Sequence, residues 1–142
     1  MKKNLFVILG IFLILVAILS YTYYNNRKIM ILAQNKNKEY EAYTTENIVG
    51  SSLMSLINKA IDQNEKNEVK KDSKNRYIEN EENSIKIDIK FLESDKTYEM
   101  EAIAGLGSEQ FIKNYNKMNF ICTKKEYHKK SKQIKYLLFK QI

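Results

Sequence analysis

Fifteen consecutive residues, Leu5 to Leu19 (LFVILGIFLILVAIL), carry no polar side chain. A helix that is apolar all round has to be covered, by lipid or by the rest of its own protein. The run is shorter than the roughly 20 residues that cross a bilayer and overlaps the length of a signal-peptide core. Two details favour a retained anchor. Tyr21, Tyr23 and Tyr24 follow directly and extend the span, because tyrosine rings sit well at the lipid–water interface. The exit also lacks a good cleavage site: Ala17 and Leu19 fail the small-x-small requirement, and Ile18 and Ser20 meet half of it. A membrane anchor over residues 1–24 is therefore expected, with a cleaved signal or a buried core helix as the alternatives. For orientation, the N-terminal amine, Lys2 and Lys3 stand against Arg27, Lys28 and Lys36, so the positive-inside rule is nearly balanced. A short basic head before an apolar core behaves like an export signal, which places the N-terminus inside and the remainder outside.

Beyond the anchor roughly 120 residues remain, one ordinary domain. Lys, Asn and Ile are heavily used, Pro and Trp are absent, and the bias reads as the AT-rich codon signature of a low-GC bacterium. The net charge of +7 is unevenly placed. From Ile112 onward nine lysines face the single acid Glu126, a balance of +8, whereas Ala60 to Glu109 holds thirteen acids and eight bases, a balance of −5. Cys122 is the only cysteine, which excludes an internal disulfide and a multi-thiolate zinc site. It reads as a small hydrophobe of a strand.

After the tyrosines the pattern stays helical to about Tyr43, with a possible break at Asn25-Asn26, giving a helical stalk over residues 25–46 that either stands free or packs on the domain of residues 47–142. Val49, Leu53, Leu56, Ile57, Ala60 and Ile61 recur at spacings of three and four, one face of a second helix, with Gly50 as its joint and Ser51 or Ser52 as its cap. The polar stretch Asp62 to Asn75 reads as a fraying helix end and loop. Then the period changes to two. Ile85, Ile87, Ile89 and Phe91 alternate with Ser84, Lys86, Asp88 and Lys90, Glu93 to Lys96 turns, and Tyr98, Met100 and Ala102 alternate on the way back. Gly105 and Gly107 interrupt, and Ser108 opens a short helix with Phe111, Tyr115 and Met118 as its stripe. A second hairpin pairs Phe120–Tyr127 with Ile134–Phe139 across a basic turn at His128 to Ser131. The expected class is α+β: a four-stranded, mostly antiparallel sheet of two hairpins with helices on one face.

The second hairpin is the strongest functional candidate. Lys124, Lys125, Lys129, Lys130, Lys132 and Lys135 crowd its turn and suit the phosphates of lipid head groups or an anionic polymer. Few arginines and no glycine-rich segment count against nucleic acid. The plainer reading is that lysines keep a sheet edge soluble and unpaired. His128, the only histidine, reads as a solvated turn residue, six positions from Cys122 and not its catalytic partner. Glu79-Glu81-Glu82 and Asp88-Glu99-Glu101 lie among lysines and read as ordinary cross-strand pairs. Gly105-Leu106-Gly107 does not follow the phosphate-loop spacing. No enzyme activity, cofactor or metal is called for.

The basic start, the apolar helix running on into a polar one and the small sheet that follows resemble a type IV pilin or pseudopilin. The resemblance is one of architecture: Gly10 lies inside the apolar run, the fifth residue after it is Leu15, and no acid precedes Glu39, so the prepilin processing motif is absent. The chain also resembles short, anchored proteins of low-GC Gram-positive bacteria. The anchor, the helical stalk and the small sheet with no chemical site point to a non-catalytic accessory protein of the cell envelope, with a protein partner in a pilus-like or secretion assembly; an anionic-surface binding module is the alternative.

Overall fold

The computed structural model describes residues 2–142, with side chains from Asn4 onward. The N-terminal amine and the side chains of Lys2 and Lys3, on which the expected orientation partly rests, lie outside the described residues. Helix α1 (Lys2–Glu41) is a single run of 40 residues, and Asn25-Asn26 does not break it. The chain divides into two compact units, Met1–Leu32 and Ala33–Ile142, so α1 contributes to both.

In the first unit every large apolar side chain from Leu5 to Leu19 is exposed, by 42–71%. The most apolar part of α1 has a mean hydropathy of 2.8 and is long and apolar enough to cross a membrane. A helix pairs its backbone groups internally, which is what a lipid interior demands of anything that spans it.

The second unit begins inside the stretch expected as a stalk. Ala33, Asn37 and Tyr40, spaced four and three apart, are buried on one helix face. The end of α1 is therefore part of the domain, and the domain starts at Ala33 rather than at residue 47. Next come β1 (Ile48–Val49), α2 (Gly50–Lys66), β2 (Lys86–Lys90), β3 (Thr97–Glu99), α3 (Met100–Gly105), α4 (Ser108–Tyr115), β4 (Asn119–Tyr127) and β5 (Ile134–Gln141).

Both expected hairpins form. Ile89 faces Tyr98 in β2–β3, and Cys122 faces Phe139 in β4–β5, each pair antiparallel. Their assembly differs from expectation in two ways. The hairpins join through a parallel pairing of β2 with β5, and β1 adds a short antiparallel edge to β4. Among the described residues the sheet is thus mixed and five-stranded, in the order β1-β4-β5-β2-β3. Two residues are too few for alternation to show, and Val49 fits the helical spacing that follows it, although it belongs to β1. The return strand is also shorter than the pattern suggested: Met100 and Ile103 are both buried at helical spacing, and the chain coils into α3 straight after Glu99.

The core lies between the sheet and α2. Leu53, Leu56, Ile57 and Ala60 of α2 meet Ile87, Ile89, Leu137 and Phe139 of the central strands, and all eight are fully buried. Each large side chain so buried stabilises the fold by about 1.5–3 kcal/mol. Helix α2 starts without a serine cap. Its Gly50 N–H donates to Met118 O at 3.0 Å, and a Cβ there would lie 2.6 Å from the Tyr115 carbonyl carbon. Glycine is what lets the first turn of α2 press against the end of α4. Gly107, with φ at 89°, supplies the left-handed step between α3 and α4.

Candidate functional site

The turn between β4 and β5 is tied down from three directions. Within it, the His128 N–H donates to Gln133 O at 2.8 Å and the Lys132 N–H returns to His128 O at 3.1 Å, with Lys132 in the left-handed region at φ 59°. From α1, Asn37 donates through Nδ2 to Lys132 O at 2.9 Å and accepts from the Ile134 N–H at 2.8 Å. From the segment before β2, Ser84 O lies 2.7 Å from His128 Nε2, and the Ser131 hydroxyl donates to Glu82 O. A carbonyl can only accept, so Nε2 carries the proton in that bond. His128 is 2% exposed. The expectation of a solvated histidine is corrected: position in a basic turn says nothing about what another segment lays over it.

Three of the six candidate lysines, Lys124, Lys130 and Lys135, are held in ion pairs, and Lys124 and Lys135 share Glu126. Lys130 pairs with Glu81 at 2.8 Å, and Lys135 with Glu79 at 2.9 Å and Glu126 at 3.7 Å. Lys124 pairs with Glu126 at 2.6 Å and lies over the Tyr136 ring, 5.5 Å from its centre. The hydrogen bond from Lys130 holds the Glu81 carboxyl below the usual range, as Lys124 does for Glu126. The same bonds raise Lys130 and, from Glu79, Lys135. Folding thus brings the acidic segment before β2 against the basic hairpin through two ion pairs, Lys130 with Glu81 and Lys135 with Glu79. Among the described residues, Lys125, Lys129 and Lys132 have no carboxylate within the 4.0 Å of an ion pair. Lys125 is half-buried and faces the core residue Leu137, so Lys129 and Lys132 are the exposed free cations of this set.

Strand β4 is an edge over most of its length. Its pairing with β1 ends at Phe120, and among the described residues no strand covers Ile121 to Tyr127 on that side. A register shift between Cys122 and Lys124 and the lysines beside it are the features that keep open edges from pairing with other chains.

Of the acids expected as cross-strand partners, Glu79, Glu81 and Glu99 each pair with a lysine. Glu99 accepts from Lys86 at 2.9 Å and lies 3.5 Å from Arg76; Glu101 accepts from the Tyr77 N–H at 3.0 Å. Asp88 stands apart. It is buried, its Oδ2 accepts from the Tyr136 hydroxyl at 3.0 Å, and its Oδ1 has no partner among the described residues. Burial pushes the Asp88 carboxyl up and the Tyr136 phenol up with it. Cys122 is half-buried, its thiol raised by burial and directed to Lys124 O at 3.4 Å, while His128 is held by Ser84, so the two are engaged with different partners.

One feature escaped the sequence. A half-open groove of about 520 Å³ runs between α4 and the turn that follows β2. Its floor is aromatic: Phe91 meets Tyr115 at 4.7 Å between ring centres and Tyr98 edge-on at 5.4 Å, and Phe111 meets Tyr115 at 5.0 Å. No family model, curated protein or solved structure matches the chain. The groove residues were legible one by one, as the apolar positions of two strands and a helix. The available signal was their kind: the end of β2, β3 and α4 each put an aromatic ring at the groove.

Proposed function

We propose that this chain is a non-catalytic, membrane-tethered interaction protein of a bacterial cell envelope, with α1 as its anchor and the domain from Ala33 onward on the outer side, serving a pilus-like or secretion assembly. The observation that carries the reading is the contrast between the two units. From Leu5 to Leu19 the apolar side chains are all uncovered, whereas the following unit buries its own apolar core. An uncovered apolar helix costs about 25 cal/mol for each Å² left in water, so the first unit calls for lipid and the second does not. The alternative ligand, an anionic polymer or lipid surface on the hairpin, would rest mainly on Lys129 and Lys132, too few charges for a strong salt-dependent contact.

Carbonate extraction of membranes tests the tether: the full chain is expected to stay with the lipid, and release into the wash would contradict it. In-cell crosslinking tests the interaction. A photoreactive residue at Ile78, exposed on the domain and outside the groove, is expected to give a discrete higher-mass adduct, and a ladder-free monomer from every exposed domain position would contradict that part.

A further inference from the structure

The aromatic groove has features that specify what it would hold. Its volume of about 520 Å³ falls within the roughly 300–1,000 Å³ of sites that seat a ligand or an anchoring side chain. Its rings are already packed against one another, Phe91 between Tyr98 and Tyr115, so binding has little side-chain motion to freeze. Tyr98 is 36% exposed and Leu106, on the lip, is 61% exposed, so apolar side chains are open to water at the groove.

The charge of the lining is distinctive. Glu93 is its one ionised residue; Gln110, Asn114 and Gln141 are neutral amides, and no lysine or arginine contributes, in a chain that has 24 of them and a net charge of +7. The face of an aromatic ring is electron-rich and attracts cations, and a neighbouring carboxylate adds to that attraction. A lysine in the lining would have opposed it.

We propose that this groove is the partner site of the interaction protein described above: it receives an apolar, preferably aromatic, side chain of a partner polypeptide that carries a cationic group next to it. Buried aromatic anchors of this kind dominate the energetics of protein interfaces. The proposal rests on the reading of the chain as an interaction protein and adds the chemistry of the partner.

The test uses the full chain in nanodiscs of zwitterionic lipid, with phenethylammonium as the probe and phenylacetate, its anionic counterpart, beside it. The readout is NMR of the Met118 methyl group and the tyrosine rings. Phenethylammonium is expected to shift the signals of Met118, Tyr98 and Tyr115 saturably, and phenylacetate to bind more weakly by at least about two- to fivefold. Glu93→Gln, on an exposed turn where the fold does not depend on it, is expected to remove that preference; Tyr98→Ala is expected to weaken both probes. No shift at these residues, equal binding of the two probes, or saturable binding of a neutral oligosaccharide such as chitotetraose in their place would overturn the proposal. Carbonate extraction and crosslinking report on the tether and on the existence of a partner without reference to this groove, so its failure is distinguishable from theirs.

Discussion

The carboxamide of Asn64 pairs with both backbone groups of Ile85, donating to its carbonyl and accepting from its N–H, each at 2.8 Å. Asn64 is fully buried near the end of α2, and Ile85 is the residue before β2. The side chain does what a neighbouring strand would do. Asn37 does the same at the start of β5, where it bonds Lys132 O and the Ile134 N–H. The two parallel strands at the centre of the sheet thus both begin on a helix-borne amide.

Replacing Asn64 by Ala leaves a buried donor and a buried acceptor without partners. Each costs about 1–3 kcal/mol, so Asn64→Ala is expected to lower stability by roughly 2–6 kcal/mol. Urea unfolding of the full chain in mild detergent, followed by the near-ultraviolet tyrosine signal, measures it. A loss below about 0.5 kcal/mol would mean that the strand start finds other partners.

Glycine is expected to matter at one helical position and not at another. Gly50→Ala drives a methyl group into the Tyr115 carbonyl and is expected to cost about 1–3 kcal/mol. At Gly105 a Cβ meets nothing within 4 Å, and Ala there is expected to be neutral or to stabilise by about 0.4–1 kcal/mol. The same unfolding assay compares the two.

Asp88 gives a pH dependence of definite sign. Burial raises its carboxyl pKa in the folded state, so the native chain takes up this proton before the unfolded chain does. The resulting stabilisation is complete below the unfolded value of about 3.9 and is lost as pH rises through the raised native value. Glu99 has the opposite sign, because the Lys86 hydrogen bond lowers it, and it is present in both the wild type and an Asp88→Asn variant. The variant is therefore expected to gain on the wild type as pH rises from about 4 to 7. A stability difference that does not change over that range would contradict the account of Asp88.

His128 can be tested by its tautomer. Long-range proton–nitrogen spectra are expected to show the proton on Nε2, where Ser84 O accepts it, and a bare Nε2 would contradict that bond. His128→Phe leaves this carbonyl orphaned and is expected to cost about 1–3 kcal/mol. Lys129→Ser, three bonds of the turn away and exposed, is expected to stay within about 0.5 kcal/mol of wild type.

What the sequence revealed was local. The period of two at Ile87 and Ile89 located a strand, the turn at Glu93 to Lys96 located its partner, and the stripe from Leu53 to Ala60 located the main helix. Met100 fitted both a strand and a helix pattern, and burial beside Ile103 decided in favour of the helix. The parallel union of β2 with β5 left no periodic trace, because pairing between distant strands adds no pattern to either one. The burial of Asn37 could not be read, and His128 was misjudged, for a related reason. Their partners lie 95 and 44 positions away, and polar residues within a polar-looking stretch give no sign that they will be buried. The lysines were visible and their acidic partners were visible; which would meet which was not.

The central claim is that α1 tethers the domain to the outer side of a membrane. It is tested by a membrane-impermeant thiol reagent applied to intact cells carrying Lys129→Cys in a Cys122→Ala background. Position 129 is exposed, and its side chain has no ion pair to lose. Labelling of intact cells, with the protein in the membrane fraction, is the expected result. Labelling that appears only after the membrane is opened would put the domain inside and contradict the account.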